Sequence, residues 1–186
     1  MMPEVAVRLE VPMSSFGWTS PDMDLRDSDR MHVDLVIRHE NQWIAFELKY
    51  KTRRTTLDRD KELFDLKNQG AQPQGRYDFM EALRRLEWLK ATRQIPGCAI
   101  LLTNDSAYWT QPRNDSDTSA AFRLHEGRKA CGKLEWSPDT AAGTKKNRET
   151  PIQLAGTYTI HWSHYSTIPV RQYPEFRFLV VDVPTA

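Results

Sequence analysis

The sequence predicts a mixed α/β domain in which a central β-sheet is flanked by helices. Strand-like segments come first, a long amphipathic segment follows them, and an apolar run of strand length comes next. That order is typical of helices packed on a sheet. The chain has 186 residues, which is the size of one ordinary domain. We therefore expect a single domain over 1–186, with a core over roughly 5–104 and C-terminal strands over 157–183 that complete the sheet.

The first half of the chain is expected to hold most of the strands. Residues 5–11 are rich in valine and predict a short strand, and the proline-containing segment 12–30 predicts a loop. Residues 32–50 alternate apolar and polar positions around a polar stretch, which indicates a β-hairpin. The charged segment 57–69 has four apolar positions and suggests an amphipathic helix.

A second helix is predicted more firmly by its periodicity. Over residues 78–93, apolar side chains recur at about the spacing of one helical face. Asp78 and Glu81 form the Asp-x-x-Glu variant of a capping box, so we expect Asp78 to be the N-cap. Residues 98–103 are apolar and predict a strand buried on both faces. Further along the chain we expect a loop over 137–150 and two late strands, over 157–162 and 176–183.

The composition limits the classes of function. Lys and Arg total 26 against 25 Asp and Glu, so the net charge is only +1 and any nucleic-acid binding must come from a local patch. No apolar run approaches the ~20 residues that span a bilayer, which indicates no membrane segment. Cys98 and Cys131 are too few for a disulfide framework. We expect free thiols and a cytoplasmic location.

The predicted hairpin brings together three charged residues. With Glu40-Asn41 as a two-residue turn, Asp34 lies opposite Glu47. Alternation then puts Asp34, Glu47 and Lys49 on one face. The opposite face is apolar and is expected to meet the core; its residues are Leu35, Ile37, Ile44, Phe46, Leu48 and Tyr50.

Two carboxylates placed across a ladder repel each other, and sheets normally avoid this arrangement. A divalent cation between Asp34 and Glu47 would make it tolerable, and oxygen ligands suit Mg²⁺ or Mn²⁺. Lys49 could orient a water or stabilise charge that develops on a phosphate. These residue types therefore suggest a phosphodiester-cleaving site. The alternative is an interaction protein in which the acids are ordinary surface charges of an exposed strand.

The spacing of these residues resembles a known family. Val33-Asp34, followed after twelve residues by Glu47-Leu48-Lys49, is similar to the signature of the PD-(D/E)xK nuclease superfamily, with Val33 in the place of the proline. Leu9-Glu10-Val11-Pro12 resembles an upstream glutamate segment of some members, and residues 76–104 resemble the helix and strand that follow the signature.

The resemblance implies a restriction-endonuclease-like core and a metal-dependent nuclease, with DNA favoured over RNA as substrate. Asp34 and Glu47 would bind Mg²⁺ or Mn²⁺, with the Leu48 carbonyl and Glu10 as further ligands, and Lys49 would position or activate water. The resemblance is also compatible with a homodimer or a larger complex. The basic residues that follow, Lys51, Arg53 and Arg54, are candidates for phosphate contacts. The alternative within the same fold is a non-catalytic subunit that binds nucleic acid or a partner.

Overall fold

The computed structural model describes residues 5–18, 31–113 and 117–184, and it has ten strands and two α-helices in these ranges. The elements are β1 (Val5–Pro12), β2 (His32–His39), β3 (Gln42–Lys51), β4 (Thr55–Arg59), β5 (Glu62–Leu66), α1 (Gln72–Arg93), β6 (Gly97–Thr103), β7 (Lys129–Leu134), α2 (Ala142–Lys145), β8 (Ile152–Thr159), β9 (Trp162–Thr167) and β10 (Glu175–Val183). Short 3₁₀ turns cover Met13–Phe16 and Ala120–Phe122.

The central feature is a six-stranded mixed sheet in the order β1-β2-β3-β6-β10-β9. Strands β3 and β6 are parallel and α1 connects them, while the other neighbours are antiparallel. This arrangement confirms the predicted mixed α/β class, although strand makes up 44% of the described residues and helix only 20%. Within the described ranges, no helix is long and apolar enough to cross a membrane.

Helix α1 begins six residues before the predicted start, at Gln72 rather than residue 78. Pro73 lies in the first turn, where its missing N–H costs no helical hydrogen bond. The prediction that Asp78 caps the helix is wrong: it lies in the second turn, and its carboxylate forms an ion pair with Arg148 at 2.6 Å. Glu81 pairs with Arg84 instead of completing a capping box.

The helix predicted over 57–69 is wrong, because this segment forms the β4–β5 hairpin. Asp60 and Lys61 adopt left-handed backbone angles, with φ of 55° and 69°, and make the two-residue turn. Such angles match the twist of paired strands. Leu57 lies opposite Phe64 in the ladder, so the apolar positions form cross-strand neighbours and not a helical stripe.

The predicted register of the β2–β3 hairpin is confirmed from His39–Gln42 to Leu35–Phe46. The prediction that its apolar face meets the core is wrong. Helix α1 packs on the opposite face, where Ala45 is fully buried, whereas Leu48 and Tyr50 are each 47% exposed. Small residues on that face let α1 approach closely: a Cβ at Gly97 would lie 2.6 Å from a methyl of Leu86.

A second layer covers the far side of α1. Strands β7 and β8 form a separate two-stranded sheet. The Glu87 carboxylate of α1 accepts hydrogen bonds from the N–H groups of Ala155 and Gly156 in β8. The core of the domain thus lies on both sides of α1.

The remaining predicted elements differ in extent. The strand predicted over 157–162 spans the end of β8 and the start of β9, so only its last residue joins the main sheet. The loop predicted over 137–150 contains the one-turn helix α2. In β6, Ile100 and Leu102 are only half-buried, in contrast to the predicted burial on both faces. Of the loop predicted over 12–30, residues 19–30 lie outside the described residues. Cys98 and Cys131 are free thiols, as predicted.

Candidate functional site

The candidate site begins where β2 separates from β3. The β2–β3 ladder ends at Leu35–Phe46, one residue before Asp34 would pair with Glu47. The N–H of Leu48 donates instead to Oδ2 of Asp34, at 2.6 Å. A side-chain carboxylate therefore replaces a backbone carbonyl as the acceptor. Asp34 is held at the divergence point, with its side chain 35% exposed.

Lys49 lies between the two carboxylates. Its Nζ is 3.0 Å from Oδ2 of Asp34 and 2.9 Å from Oε2 of Glu47. The three side chains that the sequence places on one face are therefore in direct contact. The Glu47 side chain is fully buried, whereas Lys49 is 19% exposed, so the group opens to solvent at its Asp34 end.

Glu47 has a second cationic partner on α1. Arg85 donates from Nε to Oε1 at 2.9 Å and from Nη2 to Oε2 at 2.7 Å. A bidentate pair of this kind fixes the plane of the carboxylate. Burial lowers the pKa of Arg85, but the charge and hydrogen bonds of Glu47 outweigh that effect and raise it. Arg85 is therefore a permanent cation at the base of the site.

These contacts correct the argument from repulsion. Asp34 and Glu47 do not face each other as a ladder pair, and Lys49 and Arg85 balance their two negative charges. The arrangement is electrostatically tolerable without a metal ion, so repulsion alone does not require one. What the geometry does offer is two carboxylate oxygens directed at one cation position.

Glu10, one of the further ligands expected from the sequence, lies on the neighbouring strand β1. The pairs Leu9–Leu35 and Val11–Val33 put Glu10 at the register position opposite Asp34. Glu10 is exposed and has a left-handed φ of 48°. Strand alternation breaks there, because Leu9 is 73% exposed while Val11 is buried. Among the described residues, no group of three or more His, Cys, Asp or Glu is arranged to hold a metal ion. The role of Glu10 as a ligand stays a prediction.

A basic row continues along β3 from Lys49. Lys51 lies two residues further on the same strand and passes under the start of α1. A Cβ at Gly75 would lie 3.3 Å from Cε of Lys51 and would collide with the hydroxyl of Tyr108. Gly75 therefore allows the helix to approach the sheet at this point. Lys51 is half-buried.

Arg53 and Arg54 lie beyond the end of β3 and line an open cavity of about 680 Å³. Arg53 is fixed in place: its Nη2 donates to the hydroxyl of Tyr173 at 3.1 Å, and its guanidinium stacks over the Tyr173 ring. Its Nε lies 3.9 Å from Oδ2 of Asp105. Arg54 is exposed and takes part in no ion pair with another described residue.

Two residues that the sequence did not single out support this arrangement. Arg85 could have been found from the sequence, because a carboxylate on a strand face that a helix covers needs a cation from that helix. Asn104 is 2% exposed at the end of β6. Its Oδ1 accepts from the N–H of Arg53 at 2.8 Å, and its Nδ2 donates to Oγ1 of Thr55 at 3.1 Å. The feature of the sequence that could have pointed to Asn104 was its position directly after an apolar strand.

Comparison of the chain with protein-family models, with curated proteins and with solved structures gives no match. The functional conclusion therefore depends on the geometry of the site itself.

Proposed function

We propose that the protein is a metal-dependent nuclease with a restriction-endonuclease-like core, which hydrolyses phosphodiester bonds in nucleic acid, with DNA favoured. The observation that carries the proposal is the convergence of Oδ2 of Asp34 and Oε2 of Glu47 on the single ammonium of Lys49. Two oxygen ligands beside a lysine, at the point where two strands separate, are groups that metal-dependent phosphodiester hydrolysis can use.

The donor chemistry fits Mg²⁺ or Mn²⁺. Asp34 and Glu47 would supply carboxylate oxygens, the Leu48 carbonyl is a candidate third ligand, and Glu10 is adjacent to Asp34 in the β1–β2 register. Mg²⁺ usually keeps several waters and needs only one or two carboxylates. When bound, the metal would polarise a phosphoryl oxygen and lower the pKa of a coordinated water.

Lys49 has a different task in this mechanism. If these two carboxylate oxygens held a metal ion, the Lys49 ammonium would have to lie elsewhere, since the two cations repel each other. The freed ammonium can then donate to the attacking water or to a phosphate oxygen, where its charge matters most as negative charge develops. Arg85 keeps Glu47 oriented while Lys49 moves.

Phosphate groups next to the cleaved bond would be held by the basic residues beyond Lys49. Lys51 is on the same strand, and Arg53 and Arg54 follow at its end. Arg53 is pre-positioned by Tyr173 and Asp105 and so loses little side-chain entropy when it meets a phosphate. These contacts give affinity and register but no sequence specificity.

The test is a cleavage panel with supercoiled plasmid, single-stranded DNA and RNA, each with Mg²⁺ or Mn²⁺. Asp34→Asn keeps an oxygen that can accept from the Leu48 N–H but removes the charge, and we expect it to abolish cleavage. Lys49→Met keeps much of the length of the side chain but removes the ammonium. We expect it to lower the rate by a factor of about 10²–10³, the size of one lost electrostatic donor.

The matched control is Arg59→Gln, a charge change at a position whose side chain is 74% exposed in the β4–β5 hairpin. It should cleave like the wild type. Equal cleavage by the wild type and Asp34→Asn would refute the mechanism, and equal cleavage by Lys49→Met would refute the role of Lys49.

One observation favours a second candidate, a non-catalytic subunit that keeps the fold. The bidentate pair between Arg85 and Glu47 already uses both Glu47 oxygens, as a purely structural ion pair would. A subunit of this kind would bind nucleic acid without cleaving any substrate in the panel, and Mn²⁺ would not change its stability.

A further inference from the structure

Basic and aromatic groups lie side by side around the β4–β5 hairpin and the loop between β9 and β10. The open cavity beside Arg53 and Arg54 is also lined by Arg171, in the loop between β9 and β10. A second cleft of about 300 Å³ lies next to it and is lined by Tyr50, Phe64 and Tyr165, among others. Thr55 lines both spaces, so they are neighbours.

The cavity has the charge of a phosphate site. Its described lining residues include Arg53, Arg54 and Arg171 and no carboxylate. Arg53 is partly balanced by Asp105, whereas neither Arg54 nor Arg171 is in an ion pair with another described residue. Both of these arginines are exposed, so they can reach an anion from solvent.

The two walls of the cavity are tied together by Asn104. Its amide donates to the backbone oxygen of Tyr173 at 3.3 Å on one side, while its carbonyl accepts from the N–H of Arg53 on the other. Asn104 is almost fully buried, so these hydrogen bonds are shielded from water. The spacing between the arginines that follow β3 and the β9–β10 loop is therefore set before any ligand binds.

The adjacent cleft exposes aromatic rings to an unusual degree. Tyr165 is 62% exposed, Tyr50 47% and Phe64 43%. Large exposed apolar groups that lie together mark binding surfaces rather than ordinary surface. Rings beside a basic groove match the way single-stranded nucleic acid is held, with phosphates on arginines and unpaired bases stacked on aromatic faces.

We propose that Arg54 and Arg171, together with Tyr50, Phe64 and Tyr165, form a binding surface for single-stranded nucleic acid. The ligand class rests on the proposed function, but the surface does not include Asp34, Glu47 or Lys49. A duplex keeps its bases stacked inside the helix and cannot use the aromatic rings. The surface therefore favours single strands, or the unpaired ends and loops of a longer substrate.

The test measures binding by fluorescence anisotropy in EDTA, with the Asp34→Asn variant as the parent protein so that no substrate is cut. The probes are a labelled 20-nucleotide oligo(dT) and a labelled 20-base-pair duplex. The oligo(dT) should bind several-fold more tightly than the duplex. Arg171→Gln should weaken binding of oligo(dT) and reduce the slope of log K against log salt by about 0.7, the value for one phosphate contact on a single strand.

Tyr165→Leu removes the ring but keeps an apolar side chain, and it should weaken oligo(dT) binding about fivefold or more, the effect of one lost stacked base. The matched controls lie on the opposite edge strand: Arg8→Gln for charge and Leu9→Ala for an exposed apolar side chain. Both should bind like the parent. Equal or tighter binding of the duplex, or equal losses in Arg171→Gln and Arg8→Gln, would overturn the inference.

These outcomes are separable from the proposed function. Cleavage that requires Asp34, combined with no single-strand preference in EDTA, leaves the nuclease proposal standing and removes this surface. Selective binding of oligo(dT), with no cleavage in the panel, does the reverse.

Discussion

Glu47 is a carboxylate with no access to water, and two cations surround it. A buried acid is costly unless its lone pairs are matched by well-placed donors. Arg85 supplies two of these donors from α1, and Lys49 supplies one from the same strand. Since Lys49 also contacts Asp34, any event that moves Lys49 leaves Arg85 as the only described cation on Glu47. The stability of the site at that moment depends on Arg85.

We predict that Arg85→Met destabilises the domain by about 3–5 kcal/mol, the usual cost of leaving one member of a buried ion pair without its partner. In the double variant Arg85→Met/Glu47→Gln, the second substitution removes the unpaired negative charge of Glu47. The combined loss of unfolding free energy should therefore be smaller than the sum of the two single losses. Urea denaturation of the four proteins at neutral pH gives the coupling energy. Additive losses would show that Arg85 contributes through packing alone.

At the scale of elements, the β3–α1–β6 unit determines which face of the sheet is covered. Ala45, Ala99 and Leu101 lie under α1 and are fully buried. Leu48 and Val180 lie on the other face and are 47% and 40% exposed. Ile44, Phe46, Leu48 and Tyr50 of β3 thus point away from the core, which is the reverse of the usual pattern, whereas Trp43 packs against it from the other face.

This orientation has a measurable consequence. Leu101→Ala should lower the free energy of unfolding by about 2–5 kcal/mol, because it opens a cavity beneath α1. Leu48→Ala, the same change on the neighbouring strand, should cost about 1 kcal/mol or less, since half of that side chain is already in water. Thermal or urea unfolding of the two variants makes the comparison. Similar losses would mean that both faces are covered in solution.

The same elements show what could be predicted from the sequence. The β2–β3 register follows from a two-residue turn and strict alternation, and it brings Asp34, Glu47 and Lys49 to one place, although the ladder ends one residue before Asp34. The buried face was not predicted, because Leu, Ile and Phe on one side outweighed small residues on the other. Ala45 was the contrary signal, since small side chains allow a helix to approach.

Two other elements depend on tertiary context. The β4–β5 hairpin turns at Asp60-Lys61, a pair with little of the preference for left-handed angles that Asn-Gly has. The early start of α1 places Gly75 inside a helix, where glycine is normally unfavourable. Its reason is the hydroxyl of Tyr108, which occupies the space that a Cβ would need. Neither contact can be read from local sequence.

For the whole molecule, metal binding should appear as added stability. If Mn²⁺ binds at Asp34 and Glu47, a hundredfold excess over Kd adds about 2.7 kcal/mol to the free energy of unfolding. For a protein of this size that is a rise in Tm of roughly 5–10 °C. Scanning calorimetry across a Mn²⁺ titration measures it.

Two variants make this measurement specific to the site. Asp34→Asn should lose the Mn²⁺-dependent rise in Tm. Lys49→Met should keep it, and at a lower Mn²⁺ concentration, because no ammonium competes for the same oxygens. A rise in Tm that survives in Asp34→Asn would place the metal elsewhere.

The counterions of Asp34 and Glu47 also bear on whether folding would depend on a metal ion. Domains whose acidic or thiolate ligands have no other partners stay unfolded until their metal arrives. Here Lys49 and Arg85 already neutralise Asp34 and Glu47, so we expect the chain to fold without a metal ion. If the proposed metal ion binds, its loading would be a reversible step in a folded molecule, and a chelator should remove the ion without unfolding the protein.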